Sequence, residues 1–487
     1  MKRTTTLSVA AIIVLAMPLA AQDFRGSATS GGRYIQIRPI VRDTVPLALV
    51  ERRVDGTFYE GVPVTCLPGF EICVRYIAGE VQHAIALTQD VSVTAWGLGM
   101  RGLSATLLVR ARADAAGDFA WPRSDDAFDA MLAYLELDRG PWRVRAGRLR
   151  STTGLGFSGF DGVSALLAPH PRLQIEAYGG RSLARGLNEP RNEVLQGLES
   201  FLLDRDAWLL GGAGWFEPWA GGMLTARYQR EIWSDRSGLL AERASIDLRS
   251  PLPGPFSFSA SADYDFAFGR IGKASASLRA PVFADRSLWL ELQGRRYVPY
   301  FELWTIWGFF SPAAWHEAEV RATWRATPAL TLRGHGGWRW YDDTETPIVL
   351  SALPDDGQRL GFGASWQATP DWTVDGEYTL EKGFGAFLSS GRVLARWQPI
   401  EPLSVTFDGS AFQQIEEFRV GEGAVLGGGV GLGWEFSSNL ALDGGVNVYR
   451  QNFENRPGTP DWNQVRGWAS LRIGFGRDPG LGAGAGR

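Results

Sequence analysis

The chain has 487 residues, a formal net charge of −4 and a mean hydropathy of −0.11, a value typical of a soluble protein. After residue 21 it contains no run of about 18 apolar residues, which excludes a membrane protein built from helices. Acidic and basic residues are interspersed and no basic patch stands out, so nothing indicates nucleic-acid binding.

The first residues predict export. Two basic residues precede an apolar run from Leu7 to Ala20, and small residues follow up to Ala21. These features define a secretory signal, and the apolar core is too short for a lasting membrane helix. We therefore expect residues 1–21 to be a signal peptide cleaved near Ala21, without a lipoprotein anchor because no Cys follows the cleavage point.

Residues 22–88 show a poorer pattern, because prolines interrupt the segments that would otherwise predict strands. Cys66 and Cys73 lie here, and so close a pair in an exported chain predicts a disulfide, which contributes roughly 2–3 kcal/mol in the chain-entropy model. A metal or redox site would need more ligands than this neighbourhood supplies. We expect a small N-terminal segment that lies on the periplasmic side or plugs the domain that follows; the sequence leaves both open.

From Val91 onward, apolar and polar residues alternate in segments of strand length, most clearly in residues 317–340. Alternation with period two on both sides of the Thr327-Pro328 turn predicts a hairpin with one apolar and one charged face. Tryptophans lie near both ends of the apolar face, and outer-membrane barrels ring their apolar band with aromatic residues at both edges. The hairpin therefore predicts lipid outside and water inside.

The same unit recurs four times in the second half of the chain. In each copy a Trp is followed six residues later by a large apolar residue across a short turn, so both lie on one face of the sheet. We expect these tryptophans to form a periplasmic aromatic girdle. They are Trp324, Trp366, Trp397 and Trp434.

Short and long connections take turns along the chain, as tight periplasmic turns and longer external loops do in membrane barrels. The expected fold is all-β: a transmembrane antiparallel up-and-down barrel over residues 89–475. Counting back from the last segment predicts about 20 strands from Leu103, or about 22 if Val91 and one earlier segment join, within a range of roughly 16–22.

The last predicted strand, Val465 to Phe475, places its apolar residues on one face and ends in an aromatic residue. This resembles the terminal strand that bacterial outer-membrane barrels present to their assembly machinery, with Phe475 as the assembly signal. The resemblance implies a Gram-negative outer membrane, with membrane lipid, lipopolysaccharide and the barrel assembly machinery as partners. Residues 476–487 are Gly-rich and are expected to be disordered.

The charged face is predicted to line a wet lumen, since side chains alone cannot fill a barrel of this size. Opposed rows of Arg and carboxylate groups would order water and select solutes by charge; alternatively, they are paired wall charges that only keep the lumen wet. The candidate pore-lining residues are Arg143, Arg145, Arg227, Asp263, Asp265, Glu291, Arg321, Arg333, Asp375, Glu377, Arg392 and Arg396.

The stretches Gly147–Arg150 and Phe157–Val163 resemble the strand, loop and Phe-Asp-Gly return of substrate-specific porins and alginate-export-like barrels. The resemblance implies passage of a small or polymeric hydrophilic solute, with an anion as one option. It also implies that Arg148 and Arg150 join Arg143 and Arg145 in selecting charge, with Asp161 as a further loop candidate. Structural capping of an external loop is the alternative.

Two further features invite a hypothesis. The stretch 297–315 is rich in aromatic residues, including Trp304 and Trp307, which should either pack at the rim or enter the mouth and bind a ligand. Between Leu426 and Trp434 every second residue, on the predicted lumen face, is Gly. A wall without side chains would let another backbone lie close against it.

No catalytic or cofactor site is predicted. The four histidines have no definable Ser or carboxylate partner, and there is no metal cluster, P-loop or dinucleotide fingerprint. We expect a porin-like channel for passive diffusion of small hydrophilic solutes, not an enzyme. A surface structural or adhesive barrel and a polysaccharide-export barrel remain alternatives, while a TonB-type active transporter is disfavoured because little chain precedes the first clear strand.

Overall fold

The computed structural model describes residues 23–38, 40–53, 56–66, 69–116, 127–183, 207–234, 239–267, 269–298, 314–342, 355–383, 386–417, 423–453 and 461–477. Most of these residues lie in β-strands, so the fold class is the predicted one. In the same ranges no helix is long and apolar enough to cross a membrane.

The first strand is followed by a small insertion and then by a continuous series of longer strands. The early elements are β1 (Asp23–Ile37), β2 (Ile40–Pro46), a 3-10 helix (Leu47–Leu49), β3 (Glu51–Arg53), β4 (Gly56–Tyr59), β5 (Val62–Pro63), β6 (Thr65–Cys66) and β7 (Ile72–Ala78). The later strands are β8 (Gln82–Trp96), β9 (Leu103–Asp114), β10 (Phe128–Asp138), β11 (Trp142–Thr153), β12 (Gly156–His170), β13 (Leu173–Ser182), β14 (Ala207–Phe216), β15 (Met223–Trp233), β16 (Leu239–Pro251), β17 (Ser257–Asp265), β18 (Arg270–Pro281), β19 (Leu288–Tyr297), β20 (Trp315–Thr327), β21 (Leu330–Tyr341), β22 (Asp356–Thr369), β23 (Trp372–Gly383), β24 (Ala386–Ile400), β25 (Leu403–Glu417), β26 (Gly423–Ser437), β27 (Leu440–Phe453) and β28 (Trp462–Gly476).

These strands form a closed wall. Consecutive strands from β8 to β28 pair antiparallel, and β1 closes the ring by pairing with β28 on one side and β8 on the other. The described residues thus form a barrel of 22 strands, β1 and β8–β28. This count lies within the predicted range and matches the case in which Val91 and one earlier segment join.

The wall begins at Asp23 rather than at residue 89. Strand β1 escapes sequence-based prediction because its outward positions include Gly26, Ala28 and Gly32. These side chains are too small to produce a visible alternation of apolar and polar residues. Residues 23–37 and 82–88, about a third of the segment expected to lie outside the barrel, are therefore part of it.

The insertion β2–β7 lies between β1 and β8, at the end of the barrel opposite the short turn that follows Trp96. It forms two three-stranded sheets, β2–β7–β6 and β3–β4–β5, whose strands pair only with one another in the described part of the chain. Cys66 and Cys73 face each other on β6 and β7 and form the predicted disulfide. The insertion joins the barrel at its long-loop end.

The two faces of the wall differ in chemistry. Large apolar side chains are exposed on one face, where Leu292 is 54% and Phe362 is 66% accessible. On the other face, Arg333 of β21 reaches over β22 and lies 2.6 Å from Asp375 of β23. Side chains of two strands that are separated by a third strand can come this close only on a concave surface. The charged face is therefore the inside of the barrel.

Phe475 lies at the closing seam. The register pairs it directly with Gly26 of β1, and both face outward. A β-carbon added at Gly26 would overlap the ring of Phe475 and lie 2.8 Å from the carbonyl oxygen of Ser92. The seam therefore depends on a glycine opposite the last aromatic residue.

Replacing Gly26 by Val should weaken this seam by about 1–3 kcal/mol, because overpacking moves the ring or the backbone. We expect a smaller fraction of folded, heat-modifiable protein on gels. Gly409→Val is the matched control, since Gly409 also faces outward but has open space around it. Equal folded fractions for the two variants would contradict the role of this contact.

Candidate functional site

The predicted pore-lining residues all occupy inward positions of the wall. They lie on β11, β15, β17, β19, β20, β21, β23 and β24, where they alternate with outward apolar residues. The sequence could place them because period two is strict wherever a strand carries no bulge. The inner face is therefore the candidate site, as the charge pattern predicts.

Most of these charges have a partner on the wall. Arg145 lies 2.6 Å and Arg143 3.9 Å from the carboxylate of Glu136, so two guanidinium groups share one acid. Arg227 pairs with Asp247 of the adjacent strand β16. The inner wall thus carries charges of both signs close together, and Arg143 and Arg145 lie opposite Asp138 and Glu136 in the register of β10 and β11.

The densest network surrounds two buried carboxylates near the long-loop end of β20. Glu317 and Glu319 are only 3% and 4% exposed, and both contact Arg295. Arg339 donates to Glu317 at 2.6 Å and to Glu381 at 2.7 Å. Buried carboxylates are retained only when cations and hydrogen bonds compensate for lost water, so this network locks β19 to β23 together.

The sequence prediction named Arg321 from this network and missed the buried acids. Arg321 lies 2.7 Å from Glu319. In the same network, the guanidinium of Arg339 lies 4.4 Å from the centroid of the Trp315 ring. A signal was available: Glu317 and Glu319 occupy inward positions directly after a long loop, with arginines at inward positions on both neighbouring strands. Burial itself could not be predicted, because it depends on the neighbours that the fold supplies.

The hairpin of β11 and β12 bends into the barrel. Leu149 and Phe160 pack inward on Tyr178 of β13 and Leu209 of β14, and the four side chains form a buried apolar cluster. Beyond this cluster, Ser158 Oγ donates to Gln229 Oε1 of β15 at 3.2 Å. The hairpin thus crosses the inner face of β13 and β14.

The tip of the hairpin reaches farther still. A β-carbon at Gly154 would lie 3.4 Å from Nη1 of Arg227 and 3.7 Å from Oγ of Ser245, on β15 and β16. The tip is therefore seated on the charged wall and narrows the bore in the half of the barrel nearer the long loops.

Three glycines on adjacent strands form the line along which the hairpin bends. Gly147, Gly162 and Gly180 stand side by side in the register of β11, β12 and β13. An added β-carbon at any of them would collide with a neighbouring backbone carbonyl, and Gly147 has a φ of +131°. Gly162 is the glycine of the Phe-Asp-Gly stretch, so that motif marks a bend in the wall.

Arg148 and Arg150 do not line the lumen, which corrects the expectation drawn from that stretch. They alternate with Arg145, Gly147 and Leu149 and therefore face outward. Arg148 instead holds Asp161 in a bidentate pair, with Nε–Oδ1 at 2.8 Å and Nη2–Oδ2 at 2.9 Å. The expectation was wrong because side chains alternate between the two faces of a strand. Residues 145 and 148 are three positions apart, an odd number, and therefore cannot share a face of one regular strand.

Inward glycines elsewhere are covered by neighbouring side chains. A β-carbon at Gly427 would lie 2.6 Å from the ring of Tyr449, and one at Gly433 would lie 2.7 Å from Oγ of Ser404. Among the described residues, then, side chains of adjacent strands rather than a second backbone lie over the Gly strip of β26. The glycines give large side chains room on a concave wall.

The predicted girdle residues face outward next to the short turns. Trp324 and Trp366 are half exposed, and Trp397 stacks on Trp372 with ring centroids 5.6 Å apart. Trp434 packs against Phe436. The loop candidates Trp304 and Trp307 lie outside the described residues.

Comparison with known proteins defines the fold. No protein-family model and no curated protein matches the chain. Among solved structures, the siderophore receptor PirA from Pseudomonas aeruginosa matches with a TM-score of 0.52 and 14% identity, over 93% of this chain and 80% of PirA. The chain has the fold of an outer-membrane β-barrel. That fold fits an outer-membrane location.

Porins also match this outer-membrane β-barrel, at lower similarity. A BenF-like porin from Pseudomonas fluorescens Pf-5 has a TM-score of 0.42 and 10% identity, over 94% of this chain and 100% of the porin. OpdK from Pseudomonas aeruginosa, solved with vanillate, has a TM-score of 0.40 and 11% identity, over 93% of this chain and 99% of OpdK. Such distant likenesses leave the solute to be argued from the site itself.

Removing Arg339 should destabilise the barrel by about 3 kcal/mol or more, because it leaves the buried Glu317 without one of its cations. Arg333→Ala is the matched control on the same strand. Its ion pair with Asp375 is nearly half exposed, with side chains 46% and 45% accessible, and should contribute only about 0–1 kcal/mol. Urea unfolding of the detergent-solubilised protein measures the loss of unfolding free energy in each variant. Equal losses for Arg339→Ala and Arg333→Ala would contradict the larger contribution expected of Arg339.

Proposed function

We propose that this outer-membrane β-barrel is a channel for passive diffusion of small hydrophilic solutes. The observation that carries the proposal is a charged inner wall, closed over 22 strands, onto which the β11–β12 hairpin folds. Barrels of 16–18 strands already leave an aqueous channel, so a ring of 22 strands needs internal structure to discriminate between solutes. The hairpin supplies such a structure.

The proposed route runs along the lumen past the hairpin, whose tip rests on β15 and β16. On one side of it Arg143 and Arg145 share Glu136, and on the other Arg227 is balanced by Asp247. A solute crossing here meets fixed charges of both signs, since Arg143 and Arg145 face Asp138 and Glu136 in the register of β10 and β11. The arrangement favours hydrophilic solutes over apolar ones.

Export and membrane insertion belong to the same proposal. A signal peptide cleaved near Ala21 would leave a mature chain that starts at β1, the strand that closes the ring. Phe475, at the seam with β1, would be the residue that the barrel assembly machinery recognises. N-terminal sequencing of the protein purified from membranes checks the cleavage point.

Gly154→Cys combined with Ser245→Cys should form a disulfide across the lumen. The β-carbon of residue 154 would lie 3.7 Å from the Oγ position of residue 245, so the two side chains are in contact and a small side-chain rotation would bring the two sulfur atoms together. Non-reducing gels and mass spectrometry would detect the link. Gly409→Cys with Ser245→Cys is the control that should stay unlinked, because residue 409 faces outward; no link in the first variant would refute the inward hairpin.

Purified protein in a planar bilayer should give stepwise conductance. Arg143→Ala with Arg145→Ala should shift the reversal potential toward cation preference, because two positive charges are removed from the inner wall while Glu136 and Asp138 stay. Glu136→Gln should shift it in the opposite direction. Absence of any steps would reject the channel, and unchanged reversal potentials in both variants would reject the assignment of selectivity to these arginines.

A barrel that acts at the cell surface without transport is the second candidate. It is favoured by the disulfide-closed insertion β2–β7 at the long-loop end, where Phe70 and Leu49 are exposed. The conductance experiment separates the two candidates, since a surface protein would show no steps.

A further inference from the structure

A column of polar and aromatic side chains lies over the inward glycines of β26. These glycines occupy four successive inward levels of the strand, each about 7 Å from the next. Side chains from the neighbouring strands β25 and β27, and from β28, reach over them. We call these side chains the lumen track; in order from the long-loop end they are Tyr449, Asn447 with Asp408, Trp468 and Asp443.

The central member of the track is an indole ring that is open to the lumen. Trp468 of β28 lies beside Gly445 of β27, which in turn lies beside Gly431 of β26. A β-carbon at Gly445 would lie 3.0 Å from Nε1 of the indole, and one at Gly431 would lie 3.8 Å from its Cζ2. The ring therefore extends from β28 across β27 to β26, and 42% of Trp468 remains exposed. A solute that moves along this wall meets a large aromatic surface.

Hydrogen-bonding groups lie on both sides of this ring along the strand. On the side toward the long loops, Oδ1 of Asn447 and Oδ1 of Asp408 occupy the space over Gly429. On the side toward the short turns, Oδ1 of Asp443 lies 3.0 Å from a β-carbon placed at Gly433. In the part of the chain that the structure describes, neither Asp408 nor Asp443 belongs to an ion pair. Their oxygens can therefore accept hydrogen bonds from a solute.

Other inward tryptophans have a cation over the ring. The guanidinium of Arg279 lies 4.6 Å from the ring centroid of Trp289 on β19, and that of Arg339 lies 4.4 Å from the centroid of Trp315 on β20. A ring that already packs against a cation presents less of its surface to a solute. Trp289 is therefore the matched control for Trp468: it has the same side chain and faces the same lumen, but it lies on another part of the wall.

We propose that the lumen track binds a neutral saccharide on its way through the lumen. The inference rests on the proposed channel function and names the class of solute that the channel takes. A pyranose ring has C–H groups on its faces and hydroxyl groups around its edge. Its face would pack on the indole of Trp468, while its hydroxyls would donate to the carboxylates of Asp408 and Asp443, in hydrogen bonds that are strong because the acceptor is charged.

The charges of the track favour a neutral saccharide over charged solutes. An acidic sugar would be repelled by the two carboxylates of Asp408 and Asp443, which lie on either side of the ring. An organic cation would meet Arg466, whose guanidinium lies 4.9 Å from the ring centroid of Tyr449. That guanidinium occupies the aromatic ring nearest the long loops and would repel a second cation.

Isothermal titration calorimetry of the full barrel in detergent tests the track, with maltotriose as the probe. We expect saturable binding by the wild type and a dissociation constant roughly tenfold higher or more for Trp468→Ala, because the aromatic contact is lost. Asp443→Asn should raise it about threefold or more, because a charged acceptor becomes neutral. This variant keeps the size of the side chain, so it tests the track even where Trp468→Ala folds poorly. Trp289→Ala should bind as the wild type does.

Several results would overturn the proposal. These are the absence of saturable binding by the wild type, or equal dissociation constants for the wild type, Trp468→Ala and Asp443→Asn. Tighter binding of trigalacturonate than of maltotriose would indicate a site for anions, and displacement of maltotriose by choline would indicate a site for cations. Conductance steps measured without sugar test the channel separately. Steps without maltotriose binding would reject the track alone, and binding without steps would reject the channel alone.

Discussion

The structure depends on the need to pair every backbone amide and carbonyl inside an apolar layer that offers no water. A closed antiparallel ring meets this need without leaving an edge strand, and here β1 supplies the last pairing on both of its sides. Once the ring is closed, each residue faces either lipid or lumen, and the alternation of side chains becomes a strict rule. The charged interior and the apolar exterior both follow from that closure.

Glycine determines where the wall departs from this regular pattern. At Gly26 it admits an aromatic ring at the seam, and along Gly147, Gly162 and Gly180 it permits the bend that turns a hairpin inward. On β26 it makes room for side chains of the neighbouring strands. In each case the missing β-carbon allows a close approach that the curvature of the barrel would otherwise forbid.

Charge has two separate roles in this barrel, and the face decides which. Inside, many acids and bases are paired, most closely around Glu317 and Glu319, and these ion pairs link neighbouring strands of the wall. Among the described residues, the outward charges of the strands lie near the long-loop end. The arginines around Asp161 belong to this second group although their sequence lies next to the inward Arg143 and Arg145.

The sequence by itself determined the local pattern: period-two strands, the outward tryptophans beside short turns, the inward charges from Arg143 to Arg396, and the pairing of Cys66 with Cys73. These features depend on residue spacing along one strand or one short loop, which is visible in the chain. Only the tertiary structure decided that the ring includes β1, that the hairpin tip reaches Ser245, and that Glu317 and Glu319 are buried. Those facts depend on which strands become neighbours and how the wall curves, and alternation along a single strand carries no information about either.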